Sequence, residues 1–199
     1  MRRCRRFSQG AESNDKNPLD EGTKQALDRD YWRRREALGR SKGGLSTKIH
    51  MVVDRRCRPL ARRVSPDQDG DSPQFIPVLE CIRIARSGPG RPRRRPGTVM
   101  ADKAYSSKAN RAWLRAHAIT CVIPVKEDQK TNRRKRGSAG GRPPVFDAQV
   151  YRDRNTVERC FGKLKQFRAV ATRYDKREAM FQGTVDVASI GIWLRDPVS

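Results

Sequence analysis

The chain has 199 residues, with 45 Lys or Arg against 22 Asp or Glu, a formal net charge of +23. That excess is far beyond what solubility needs and points to a polyanion partner, most simply nucleic acid. Five widely spaced cysteines without a C-x-x-C, and only two histidines, argue against a disulfide framework or a structural zinc site. No apolar run approaches the ~20 residues of a membrane span, and MRRCRRFSQG is followed by no apolar segment of a signal peptide.

Residues 1–44 are polar and lack periodicity. They read as a basic, loosely ordered leader with a short helix near Lys24–Leu38. Thr47–Val53 is the first convincing strand. Asp54–Arg58 reads as a hairpin turn and Pro59–Val64 as the return strand. Asp71-Ser72-Pro73 places a capping residue and a first-turn proline at the start of a helix running to about Ala85. Phe75, Val78, Leu79 and Ile82 form its apolar face, and Ser87–Pro96 follows as a Gly/Pro/Arg linker.

Thr98–Asp102 is a short apolar strand ending in an acidic residue. Ser107–His117 reads as a helix with Ala109, Ala112, Trp113 and Ala116 inward, and Thr120–Val125 as another strand. Lys126–Pro144 reads as a basic, Gly-rich loop. Its Arg133, Arg134, Lys135, Arg136 and Arg142 are expected to contact phosphates without reading bases. A last helix, about Glu178 to Leu194, is rich in small apolar residues. The alternation of strands and helices argues an α/β fold.

Between these lies the most informative stretch, a long helix from Ala148 to about Ala169. Tyr151, Arg154, Glu158 and Lys165 recur at helical offsets that place them within one stripe roughly 60° wide. Val157, Cys160, Phe161, Leu164 and Phe167 form a separate apolar face. One face buries while its neighbour presents a carboxylate flanked by cations, an arrangement that favours the ionised form and suits metal binding beside a polyanion. Arg154 and Glu158 alone would be an ordinary surface i,i+4 pair worth a few tenths of a kcal/mol.

LGRSKGGLSTKIH, GDSPQFIPVLE, ADKAYSS, KRGSAGGRPPVFD, RNTVERCFGKLKQFR and ATRYDK follow one another in order. Together with the Tyr-x2-Arg-x3-Glu-x6-Lys pattern, they resemble the insertion-sequence DDE transposases of the insertion-sequence-five-like family, over about Ala37 to Leu194. The resemblance implies a ribonuclease-H-like mixed sheet flanked by helices, occupying 45–195. It implies metal-dependent phosphodiester cleavage and strand transfer with Mg2+ or Mn2+. Its partner would be double-stranded DNA, both transposon ends and target, bound by a homo-oligomer at the cytoplasmic nucleoid, away from any membrane. Asp102 matches the second acidic residue of that family and Glu158 the third, both as metal ligands. Arg154 and Lys165 match residues assigned to donor-DNA phosphate, and Tyr151 a positioning residue.

The family's first acidic residue ends a strand upstream of the LGRS segment, and residues 1–44 contain no such apolar strand. Asp20-Glu21-Gly22-Thr23 faintly echoes that residue's usual context, but Asn17-Pro18-Leu19 before it is not a core strand; Asp28 and Asp30 sit in charged surroundings, Asp54 reads as a turn residue and Asp71 as a cap. The expectation is therefore a truncated or frame-disrupted copy lacking a well-formed first strand. The alternative is a non-catalytic basic DNA-binding remnant that competes with the full-length transposase. A basic RNA-binding structural protein would explain the charge but not the ordered motifs.

Overall fold

The hairpin expected around Asp54 is the organising feature of the structure, a computed structural model that describes residues 31–32, 35–42 and 44–195. Strand β2 (Gly44–Val53) pairs antiparallel with β3 (Pro59–Pro66), with Ile49 opposite Val64 and a register irregularity between Val52 and Val53. Asp54 makes the turn. Its Oδ1 accepts the backbone N–H groups of Arg56 and Arg58, each at 2.9 Å, and its Oδ2 accepts Arg58 Nε at 2.7 Å. Cys57 completes the turn with φ at 61°.

A further strand, β1 (Gly39–Ser41), pairs with the start of β2 and lies inside the stretch expected as a loose leader. Ala37 before it is buried. Gly39 approaches the β3 end so closely that a Cβ there would lie 2.3 Å from the Asp67 nitrogen. The order upstream of residue 45 comes from a distant side chain. Arg173 donates to the Glu36 carbonyl at 2.9 Å, the Ala37 carbonyl at 3.3 Å and Thr47 Oγ1 at 2.6 Å. No local pattern in residues 36–44 announces such a clamp. Asp20, Asp28 and Asp30, with most of the short helix expected near Lys24–Leu38, lie outside the described residues.

After β3 comes a 3-10 turn (Ser72–Gln74), then helix α1 (Phe75–Glu80), much shorter than the helix expected to Ala85. Ile84 instead exchanges backbone hydrogen bonds with Arg93, 2.9 and 2.8 Å, and closes the expected linker into a loop. Those bonds occupy groups that a longer helix would have used.

Strand β4 (Thr98–Met100) pairs in parallel with β5 (Thr120–Val122), joined by α2 (Lys108–Ala116). Ser107 caps α2, its Oγ accepting Asn110 N at 3.0 Å. The buried residues of α2 are Leu114 and Asn110, not the expected alanines, which are exposed. Leucine gains more from burial than alanine, and Asn110 tolerates burial because its side-chain Nδ2 has two acceptors, Ser72 Oγ and the Tyr105 carbonyl.

The expected basic loop is mostly helical: α3 (Glu127–Lys135) is followed by a 3-10 turn (Gly137–Gly140). Glu127 and Asp128 in its first turn and Arg133, Arg134 and Lys135 in its last complement the helix dipole. Gln129 anchors it, exchanging hydrogen bonds of 2.9 and 2.8 Å with Ser106. Gly140 folds back onto Arg133, where a Cβ would meet the Arg133 carbonyl oxygen at 2.3 Å.

The expected long helix is broken into four pieces. These are α4 (Ala148–Tyr151), a 3-10 turn (Arg152–Arg154), α5 (Asn155–Lys165) and, after a bend at Gln166–Phe167, α6 (Arg168–Ala171). The last helix, α7 (Glu178–Arg195), agrees with expectation.

The core has two parts, as the alternation of a strand requires. Ile49, Met51 and Val53 of β2 pack with Cys160 and Leu164 of α5 and Phe181, Val185, Ala188 and Ile192 of α7. Val52 faces the other cluster, which joins Phe75 and Leu79 of α1 to Val99, Leu114 and Ile123. The fold is mixed α/β, with helices over both faces of small sheets.

Candidate functional site

Asp102 stands two residues past the end of β4. Buried Val99 fixes that strand beside β5, and the chain turns at once into a 3-10 turn (Lys103–Tyr105). Asp102 stands at its N-cap, Oδ1 accepting Lys103 N at 2.8 Å, with the side chain otherwise exposed. Its position is therefore that of a cap and of a strand-end carboxylate at once.

The turn is held by a buried amide. Asn110 Nδ2 donates to the Tyr105 carbonyl at 3.1 Å and to Ser72 Oγ at 3.2 Å, and the Phe75 and Tyr105 rings lie 5.4 Å apart. The end of β4 is thereby stitched to the segment that begins at Asp71. Burial raises the Tyr105 phenol pKa, and the charges of Asp71 and Asp102 raise it further. Sequence reasoning offered Asp71 only as a cap. It occupies the cap position, but its side chain makes no capping bond and instead pairs with Lys48 at 3.2 Å.

Glu158 is exposed on α5, paired to Arg154 at 2.8 Å. The break before α5 shapes this arrangement. In a 3-10 turn, residues i and i+3 eclipse, and Arg154 accordingly lies over the Tyr151 ring, 5.7 Å from its centroid. The Tyr151 phenol is raised chiefly by burial; Arg154 opposes that shift, and Asp102 and Glu158 add to it. Both expected acidic residues thus act on the same hydroxyl. Arg154 thus meets both the Tyr151 ring and Glu158, and the charge of Asp102 reaches the Tyr151 hydroxyl. Lys165 is exposed at the last turn of α5, about 10 Å along the helix axis from Glu158.

Arg134, Lys135, Arg136 and Arg142 are exposed and Arg133 half-buried, on the last turn of α3 and the segment after it. Asp54 is tied into its turn by Arg58 at 2.6 Å. Among the described residues, no group of three His, Cys, Asp or Glu side chains is placed to hold a metal ion together. The described helices include none long and apolar enough to cross a membrane.

Comparison with known proteins gives one consistent result. The family model of the transposase DDE domain matches residues 21–185. A Brucella ovis protein named as a transposase for insertion sequence element IS6501 is 30% identical over 152 residues, covering 76% of this chain and 100% of that protein. A Burkholderia cepacia protein named as a transposase for insertion sequence element IS402 is 30% identical over 131 residues, 66% of this chain. This chain spans 54% of that second protein. No solved structure matches the chain.

Proposed function

The chain belongs to the transposase DDE domain family of bacterial insertion sequences, and from that premise we propose that it acts on insertion-sequence ends through Asp102 and Glu158, in the insertion-sequence-five-like manner. The observation that carries this reading is the family match over residues 21–185, which contains both carboxylates; Arg154, paired to Glu158 and lying over Tyr151, and the charges of Asp102 and Glu158 felt at the Tyr151 hydroxyl support it. The arrangement fits a ribonuclease-H-like catalytic domain over 45–195, in which strand ends and one helix face supply the acidic groups.

The donor set fits a hard divalent cation. Both groups are exposed carboxylates, and Mg2+ or Mn2+ is commonly held by one or two carboxylates with water filling the remaining positions. Asp102 and Glu158 would hold the ion, which when bound activates an oxygen nucleophile and steadies the leaving oxygen of a phosphodiester. Lys103 N–H fixes the Asp102 carboxylate through Oδ1. Arg154 orients Glu158 and keeps further guanidinium donors for a DNA phosphate. Tyr151 packs beneath Arg154 and sets its direction. Lys165 and the basic residues from Arg133 to Arg142 extend the phosphate track along the duplex. The working form is a homo-oligomer on DNA in the bacterial cytoplasm.

A second reading, a DNA-binding remnant without cleavage activity, is favoured by a different observation. Among the described residues no three His, Cys, Asp or Glu side chains are grouped to hold a metal ion, and two acidic side chains near the sheet, Asp54 and Asp71, are engaged by Arg58 and Lys48. This copy is then defective and competes for DNA ends.

One experiment separates the two. The purified full chain is given labelled inverted-repeat ends with Mg2+, in parallel with a DNA-binding titration. Both readings require binding that weakens steeply between about 50 and 200 mM salt, and replacing Arg133–Arg136 with Ala should lower the salt slope by about 3 to 4. Cleavage lost in Asp102→Asn and in Glu158→Gln supports the catalytic reading. Asn variants of Asp20, Asp28, Asp30, Asp54 and Asp71 then find the third ligand. Salt-sensitive binding without cleavage supports the remnant, and salt-insensitive binding sinks both.

A further inference from the structure

Helix α7 is apolar on two opposite faces. Phe181, Val185, Ala188 and Ile192 are buried, none more than 2% exposed. On the far side, Met180, Val187, Ile190 and Leu194 are 64%, 70%, 57% and 75% exposed. With Gly183 these residues fall within an arc of about 80°, roughly 150° away from the buried face. Isolated exposed apolar residues are ordinary, but a continuous stripe of large ones marks an interaction surface. The charge bordering the stripe, Asp186, is drawn aside by Arg62 of β3.

We infer that this stripe is the contact by which two copies of the chain pair, α7 against α7, antiparallel about a two-fold axis at Val187. The pattern is close to a palindrome about that residue. Met180 and Leu194 stand seven positions before and after it, and Gly183 and Ile190 four before and three after. Antiparallel pairing therefore sets Val187 on its own counterpart and Met180 on the second copy's Leu194. Ile190 enters the space above the second copy's Gly183, where a Cβ would meet nothing within 4 Å. A two-fold contact needs such self-complementarity.

The helix dipole selects the same direction. Antiparallel pairing places opposite dipole ends near each other, whereas parallel pairing sets like ends together. Two helices of 18 residues bury roughly the 1,000 Å² at which specific interfaces begin, which makes the dimer reversible and not obligate. None of this depends on Asp102, Glu158 or cleavage.

The test uses the full chain in a Cys4→Ser, Cys81→Ser background, at a salt concentration that strips nucleic acid. Sedimentation velocity should show a concentration-dependent dimer. Val187→Glu should weaken it by about tenfold or more with unchanged circular dichroism and melting midpoint. Val187→Cys should form a covalent dimer under mild thiol oxidant, and Glu80→Cys on α1 should not. Met180→Cys mixed with Leu194→Cys should cross-link faster than either alone, as only the antiparallel arrangement requires. A monomer at high concentration, as when other residues of the same chain cover the stripe, would overturn the inference. So would a dimer that survives Val187→Glu, or equal cross-linking at Glu80→Cys.

Discussion

Helices α5 and α7 pack on the same core and treat solvent in opposite ways. Both bury largely apolar side chains against β2, Cys160 and Leu164 from one and Phe181, Val185, Ala188 and Ile192 from the other. Outward, α5 presents Glu158 with Arg154 and Lys165, while α7 presents Met180, Val187, Ile190 and Leu194. An outer face free of packing duty is available for function, and its chemistry tells which kind. A carboxylate among cations suits chemistry on a polyanion; a clean apolar stripe suits another protein surface. The inner faces carry stability, and substitutions on the two sides should separate accordingly.

The largest expected effect is on the outer face of α5. Glu158→Gln keeps shape and removes charge. End cleavage should fall on the order of 10³-fold or more, the several kcal/mol of charge stabilisation that a metal ligand supports. DNA binding and melting should be nearly unchanged. A variant that loses cleavage only because it unfolds would erase the contrast between faces.

Next come the inner faces. Leu164→Ala in α5 should cost about 2–5 kcal/mol and Phe181→Ala in α7 about 3–5 kcal/mol, since both are fully enclosed, 0% and 2% exposed. Urea unfolding measures both. If either falls below about 1 kcal/mol, that helix is not anchored as described.

A smaller effect distinguishes the inner faces from each other, because α5 buries a titratable group and α7 does not. Burial, helped by Cys57, pushes the Cys160 thiol from 9.0 up to about 11. A raised folded-state pKa favours the neutral thiol of the native protein. Its contribution is complete below the unfolded value of 9.0 and lost as pH rises through about 11. Stability should therefore drop by on the order of 2 kcal/mol over that window, and Cys160→Ala should flatten that limb while lowering stability at neutral pH. An unchanged alkaline limb in Cys160→Ala would assign the loss to another group.

How much of this was legible in the sequence follows from the range of the interactions. The hairpin at Asp54 and the extent of α7 are local and were readable. That Asp102 and Glu158 belong to one site is proposed from the ordered motifs, because no local rule joins a strand end to a helix 56 positions later. The clamp of Arg173 on residues 36–37, the Asn110 bridge and the break of the long helix were not readable, since each depends on a partner distant in sequence or on a local tightening that periodicity averages over. The helix in the Lys126–Pro144 segment was missed for another reason. Basic and glycine content suggested a loop, while Glu127 and Asp128 at one end and three cations at the other satisfy the helix dipole.

The last and smallest effect on stability concerns Arg154, and it decides what the pair with Glu158 is for. The two side chains are 33% and 55% exposed, and an i,i+4 pair in that setting contributes only about 0.3–0.5 kcal/mol. Arg154→Ala should therefore shift the urea midpoint barely at all. If Arg154 serves only the fold, cleavage should follow stability and hardly change. If it aims Glu158 and meets a donor phosphate, cleavage should fall about 10–100-fold, as when a group that orients a ligand is removed. Arg154→Lys should restore little, because an ammonium cannot span carboxylate and phosphate with a planar fork. A full rescue by Lys would reduce Arg154 to a point charge, and the tightened turn that lays it over Tyr151 would then need another explanation.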